Sequence, residues 1–274
     1  MDIFIYEKFD SELESIWLNF EKVAEMTPFQ SYCWLHHWQK IIGQPLDKTQ
    51  LQIVILKNNN SVIAILPLCI NVNNNIKVLS WMGGIQSDYK APLLHKNWES
   101  FVTDFNIVWK EVCEKIKSFD VIHLSNQTKK IGELNNPFVS VFDVEPFTTS
   151  SHANLSGDWD TYYNTKIKKK MRADSRRSIR KLSEIGELEF FIAGSINDSK
   201  QIINQMIPQK SKRYIATGLR DILAIKEHKN FYKELPELSY GTEVVLHCSA
   251  IKVDETIIAT HIGLIHKKCF YYLM

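Results

Sequence analysis

Three β-rich runs close this sequence, residues 243–253, 256–266 and 269–274, and only two residues separate each from the next: Asp254-Glu255 and Lys267-Lys268. So short a connection joins strands only as an antiparallel hairpin, because parallel strands need a crossover of a dozen or more residues. An earlier stretch repeats the pattern. Runs 51–56 and 62–70 flank an Asn-rich turn, and 76–81 reads as a further strand ended by Gly83-Gly84. Residues 3–6, 120–124, 139–144 and 188–192 read as shorter strands.

Helical spacing fills the gaps between these runs. Residues 11–26 carry apolar side chains at 13, 16, 17, 20, 23 and 24. Ser31 is placed to cap a second helix carrying Trp34, Leu35, Trp38 and Ile41, with Gly43 as its stop. Residues 98–116, 199–214 and 219–235 also read as helices, and 158–185 as one long helix with Ile167, Met171, Ile179 and Leu182 on its apolar side. The stretch 146–157, with Thr148, Thr149, Ser150 and Ser151, reads as a linker. The expected fold is α/β of the α+β type, with mostly antiparallel sheets flanked by helices, in two units at 1–145 and 158–274. The second unit ends inside a strand, so the chain is expected to be a truncated piece of a longer one.

Composition supports a globular chain: 274 residues, 45% apolar and 23% charged, with 10 Gly and 8 Pro. Five Cys lie far apart without a CxxC pair, which argues for reduced thiols and against structural zinc or a disulfide scaffold. The most apolar stretch, 51–70, is interrupted by Lys57-Asn58-Asn59-Asn60, so no spanning helix is expected. Without a basic, apolar leader at Met1-Asp2-Ile3-Phe4, a cytoplasmic location is expected.

Charge is unevenly placed. Net charge is +2, yet residues 166–181 hold nine basic groups and one acid, Asp174, which leaves −6 over the rest. Such a segment attracts phosphate groups, nucleic acid or a membrane surface, or serves as a solvated helix face.

Five local patterns resemble the CelD/BcsL-like acyltransferases, a tandem branch of the GNAT N-acetyltransferase superfamily related to the FemABX peptidyltransferases. They are Pro28-Phe29-Gln30-Ser31-Tyr32-Cys33-Trp34 with Trp38; Trp81-Met82-Gly83-Gly84 with Ser87-Asp88-Tyr89 and Pro92-Leu93; Lys170-Met171-Arg172 through Arg176-Arg177, Lys181-Leu182 and Gly186; Lys210-Ser211-Lys212-Arg213-Tyr214 with Gly218; and Ala259-Thr260-His261-Ile262-Gly263-Leu264 leading to Phe270-Tyr271-Tyr272-Leu273-Met274. The resemblance implies two GNAT-like units and transfer of an acyl group to an amine, with acetyl-CoA or another acyl-CoA as donor and no metal. The acceptor it implies is a small-molecule amine, such as a sugar or a cell-surface polysaccharide precursor of bacteria. In the family, a helix N-terminus that holds the donor's pyrophosphate follows the strand matched by residues 270–274. Weak or no binding of acetyl-CoA is therefore expected of residues 1–274. A FemABX-like aminoacyl transferase using transfer RNA, a non-catalytic basic-helix module and an inactive fragment stay open.

Acyl transfer needs a deprotonated amine, a polarised carbonyl and close approach. His261 is the candidate base, and Tyr272 the candidate acid for the leaving thiolate. Tyr271 and Tyr272 alternate faces, so only one enters a given cleft. Tyr271, Asp88, Tyr89, Lys212 and Arg213 are candidate substrate-binding residues. Lys212 and Arg213, with Lys210, would hold a phosphate or carboxylate, or else complement a helix C-terminus. Trp34, Trp38 and Trp81 would stack on a sugar or pack the core. Cys69, Cys248 and Cys269 read as small buried apolar groups. Acceptor, acyl group and oligomeric state stay open.

Overall fold

The computed structural model describes residues 1–142, 144–146, 149–241 and 243–274. The first half runs β1 (Asp2–Tyr6), α1 (Ser11–Glu21), β2 (Ala24–Glu25), α2 (Tyr32–Trp38), β3 (Gln50–Asn58), β4 (Ser61–Asn73), β5 (Ile76–Trp81) and β6 (Leu93–His95). It continues through α3 (Trp98–Phe101), α4 (Phe105–Lys115), β7 (Val121–Ile122), β8 (Lys130–Ile131), β9 (Leu134–Asn135) and α5 (Phe138–Val141). The second half runs α6 (Trp159–Lys166), α7 (Lys169–Ser183), β10 (Leu188–Ile192), α8 (Ile196–Ala216), α9 (Lys226–Glu234), β11 (Val244–Val253), β12 (Thr256–His266) and β13 (Cys269–Tyr272).

The path β1-β3-β4-β5-β7 forms the first sheet, with β2 and β6 attached, and β10-β11-β12-β13 forms the second. Pairing is antiparallel throughout both sheets except at β5–β7. The fold class is thus the expected mixed one. Asn59-Asn60 and Asn74-Asn75 close the two hairpins of the first sheet with both residues at positive φ, as two-residue turns of this hand require.

Strands β3 and β4 are apolar at successive positions because both of their faces are buried. Leu51, Ile53, Ile55, Ile65 and Cys69 face one hydrophobic cluster. Val54, Leu56, Ala64, Leu66 and Leu68 face another, completed by α4 and the rings of Trp81, Trp109 and Phe138. The first of these clusters also contains Ile202, Met206, Phe231, Cys248, Ile262 and Leu264 from the second half. The two halves therefore have separate sheets and one shared core. Trp34 of α2 meets Phe231 of α9 edge to face at 5.0 Å, and His37 Nε2 hydrogen-bonds the Phe231 carbonyl at 3.0 Å. Gln86 Nε2 lies 2.7 Å from His228 Nδ1.

Several expected elements are cut shorter by local caps. The helix expected at 11–26 ends at Glu21, because Ala24 and Glu25 pair with β6 instead. The helix expected at 98–116 breaks into α3 and α4, where Asp104 leaves helical geometry and its Oδ1 accepts from Asn106 N–H at 2.9 Å. The strand expected at 139–144 is in part the short helix α5; Asp143 lies outside the described residues. Residues 149–157 carry no regular structure and are exposed, while Phe147 and Thr148 of the expected linker lie outside the described residues. The helix expected at 219–235 is a 3-10 turn at Ile222–Ala224 followed by α9.

The long helix expected at 158–185 is broken as well. Ile167 and Lys168 are extended, and Arg172 Nη1 turns back to donate to the carbonyls of Tyr163, Asn164 and Ile167. Its four apolar residues do not all pack. Ile167 and Leu182 are half-buried, while Met171 is 58% and Ile179 53% exposed.

Burial pushes the Glu21 carboxyl up to about 7, against the helping hydrogen bond from Tyr32 N–H. Between its ordinary 4.5 and about 7, folded Glu21 holds a proton that the unfolded chain has released, so this group removes stability as pH rises through that window. Glu21→Gln keeps the acceptor without the charge. Denaturant titration at several pH values is expected to show the variant gaining on the wild type as pH rises, with no gain in acid.

Candidate functional site

The side-chain alternation of β12 sorts the last three strands into two faces. Ile262 and Leu264 point into the shared core, so His261 and Gly263 point the other way. Register pairs Ser249 with His261, and His247 and Tyr272 with Gly263. One outward patch thus gathers His247, His261, Phe270 and Tyr272, with Ser249 buried beneath it on the same face. The His261 ring stacks on Tyr272 at 4.9 Å and 24°, and lies 5.1 Å from Phe270 and 5.9 Å from His247. Ser249 Oγ stands 3.4 Å from His261 Nδ1.

Burial, and secondly His247, lowers the pKa of His261 below its ordinary 6.5. The imidazole is therefore neutral at physiological pH, half-buried, and able to take a proton. Tyr272 is 60% exposed, so the patch is open to a reactant.

Gly263 makes this geometry possible. A Cβ there would overlap Phe270 Cζ and stand 2.5 Å from the Tyr271 carbonyl oxygen. The missing side chain lets the Phe270 ring lie across the strand. Gly263→Ala is expected to cost about 1–3 kcal/mol by overpacking and to unseat Phe270, read as a lower midpoint in denaturant titration. An unchanged midpoint would mean that the ring moves aside freely.

The sequence-predicted residues fall into three places. His261 and Tyr272 meet in the outward patch. Tyr271 points to the opposite face, where its ring packs edge to face on Tyr89 at 5.9 Å and on Phe29 at 6.0 Å. Burial there raises the Tyr271 phenol well above its ordinary range. Asp88 adjoins Tyr89; burial raises its carboxyl and lowers the neighbouring Lys90 ammonium, and each charge partly offsets the other's shift. Lys212 and Arg213 are exposed at the end of α8 and join neither cluster; the Arg213 carbonyl accepts from Thr217 in closing the helix. Sugar stacking by Trp34, Trp38 and Trp81 is excluded in this conformation, since all three are buried core. Cys69 and Cys248 are buried as expected, but Cys269 is exposed on the outermost strand of its sheet.

Sequence reasoning missed His247 and Ser249. Counting back from the Asp254-Glu255 turn pairs His247 with Ile262, which would bury it. A bulge between Ile251 and Lys252 moves the register by one residue and brings His247 to the face of His261.

Comparisons with known proteins bear on the same strands. Residues 169–274 match the family model of an acetyltransferase (GNAT) domain. This GNAT-matching segment runs from α7 to β13 and contains the whole outward patch. No curated protein matches the chain. Among solved structures, a conserved protein of unknown function from Bacteroides thetaiotaomicron VPI-5482 is similar at 11% identity, over 96% of this chain and 75% of that one, with a TM-score of 0.44. Among the described residues, no group of three or more His, Cys, Asp or Glu is placed to hold a metal, and no helix is long and apolar enough to cross a membrane.

Proposed function

We propose that the chain is an N-acyltransferase that moves an acyl group, acetyl in the first instance, from a coenzyme A thioester to the amine of a small molecule of the amino-sugar or polysaccharide-precursor class. The observation that carries this reading is the stacked His261–Tyr272 pair inside the segment that matches the acetyltransferase domain. In the tautomer that carries its proton on Nδ1, facing Ser249 Oγ, Nε2 is the acceptor for the amine proton. The amine nitrogen then bonds to the thioester carbon as the carbon–sulfur bond breaks. The Tyr272 phenol protonates the departing thiolate and recovers its proton from solvent. Most of the rate comes from holding the two reactants together, and proton transfer contributes about 10²–10⁴-fold.

Two finer assignments belong to the same reading. One is descent from the tandem CelD/BcsL-like branch, supported by the five motif matches. The other is a division into units 1–145 and 158–274, supported by the separate sheets. Tyr271 and the Tyr89 ring it packs on lie across β13 from His261, so this reading gives them no contact with the reacting amine.

The test incubates the full chain with acetyl-CoA and a panel of amino sugars and looks for N-acetylated product by mass spectrometry. The donor is supplied at millimolar concentration, so that a weak donor complex still turns over. Product above the enzyme-free rate supports the reading. Thioester hydrolysis without acylated amine overturns it.

A further inference from the structure

The apolar side of α7 is not closed onto the sheet. Met171, Ile179 and Leu182 face Leu188 of β10 and Ile251 of β11 across an open groove of about 580 Å³. Met171 and Ile179 stay more than half exposed, although helical spacing puts them on the inner stripe. At its N-terminal end, Arg172 ties the helix to the carbonyls of Tyr163, Asn164 and Ile167. The groove has the size and mostly apolar lining of a small-molecule site.

The surrounding charge narrows the choice of ligand. Lys168 and Lys170 line the groove, and Asp174 is its one acidic lining residue. The helix segment as a whole carries nine basic groups against that single acid. An apolar floor of Met171, Ile179, Leu182, Leu188 and Ile251 beside Lys168 and Lys170 fits an aliphatic chain with an anionic head. The geometry points to a site for a free fatty carboxylate: the chain lies between α7 and β10–β11, and the carboxylate meets Lys168 and Lys170. This binding is independent of the acyl-transfer reading, and its failure leaves that reading where it stands.

Calorimetric titration of the full chain below the critical micelle concentration tests it, with octanoate, decanoate and laurate as a length series and dodecyltrimethylammonium and dodecyl maltoside as head-group controls. Laurate is expected to bind one to one, with affinity rising about three- to fourfold per added methylene and at least tenfold tighter than either control. Met171→Glu changes an exposed residue and puts a carboxylate in the groove; it is expected to abolish laurate binding while the circular dichroism spectrum is kept. Lys168→Gln with Lys170→Gln is expected to erase the preference for the anionic head. Equal affinity for all three head groups, several molecules bound per chain, or full laurate binding by Met171→Glu would each overturn the proposal. So would a chain that ignores laurate yet sediments with phosphatidylglycerol vesicles, which would make the basic helix a membrane-surface contact.

Discussion

Trp34→Ala is expected to destabilise both halves of the chain together. Trp34 is fully buried, packs edge to face on Phe29 at 5.6 Å and on Phe231 at 5.0 Å, and donates from Nε1 to Ser87 Oγ at 3.0 Å. Truncating so large a core side chain costs about 3–5 kcal/mol, and the orphaned Ser87 hydroxyl adds to this. That is a large share of the ~5–15 kcal/mol that holds a typical domain folded. The shared cluster decides how the loss is distributed. Phe29 belongs to the first half and Phe231 to the second, so the cavity opens between them. Six of the seven tryptophans lie at or before residue 109, so fluorescence reports the first half, while labelling of the buried Cys248 thiol reports the second. Both transitions are expected to shift to lower denaturant and to coincide. A shift in fluorescence alone would show that the halves are stable separately.

His261→Gln is expected to lower amine acylation by about 10²–10⁴-fold. Glutamine keeps the length and a hydrogen-bonding head but takes no proton. The half-buried site and the neighbouring Tyr272 ring tolerate it, so folding is expected to stay near wild type. Comparing thiol release with the denaturation midpoint of the same preparation separates lost chemistry from lost structure.

Much of the architecture was legible in the sequence because turn chemistry is local. The Asn-Asn pairs and the two-residue gaps at 254–255 and 267–268 place the hairpins. The strand limits at Ile76–Trp81, Leu188–Ile192 and Thr256–His266 follow from the β-rich runs they bound. Helix ends were less legible where a single side chain decides them. Asp104 and Arg172 each end or turn a helix that apolar periodicity would carry onward. The candidate site was half legible. His261 and Tyr272 are visible as residue types on neighbouring strands, but which residues share their face depends on the register. The bulge at Ile251 changes that register by one, which is why His247 escaped notice. Whether Tyr89 meets Tyr271 is a question of packing across the shared core, and no local pattern encodes it.

The most direct test of the acyl-transfer account is the pH profile of kcat/KM for amine-dependent thiol release, measured from about pH 5 to about pH 9. Burial and His247 hold His261 below its ordinary 6.5, so the wild type is predicted to lose activity in acid through one group titrating below 6.5. That limb is predicted to vanish from the residual activity of His261→Gln. A profile that follows only the amine's own deprotonation and is the same in both proteins would contradict the account.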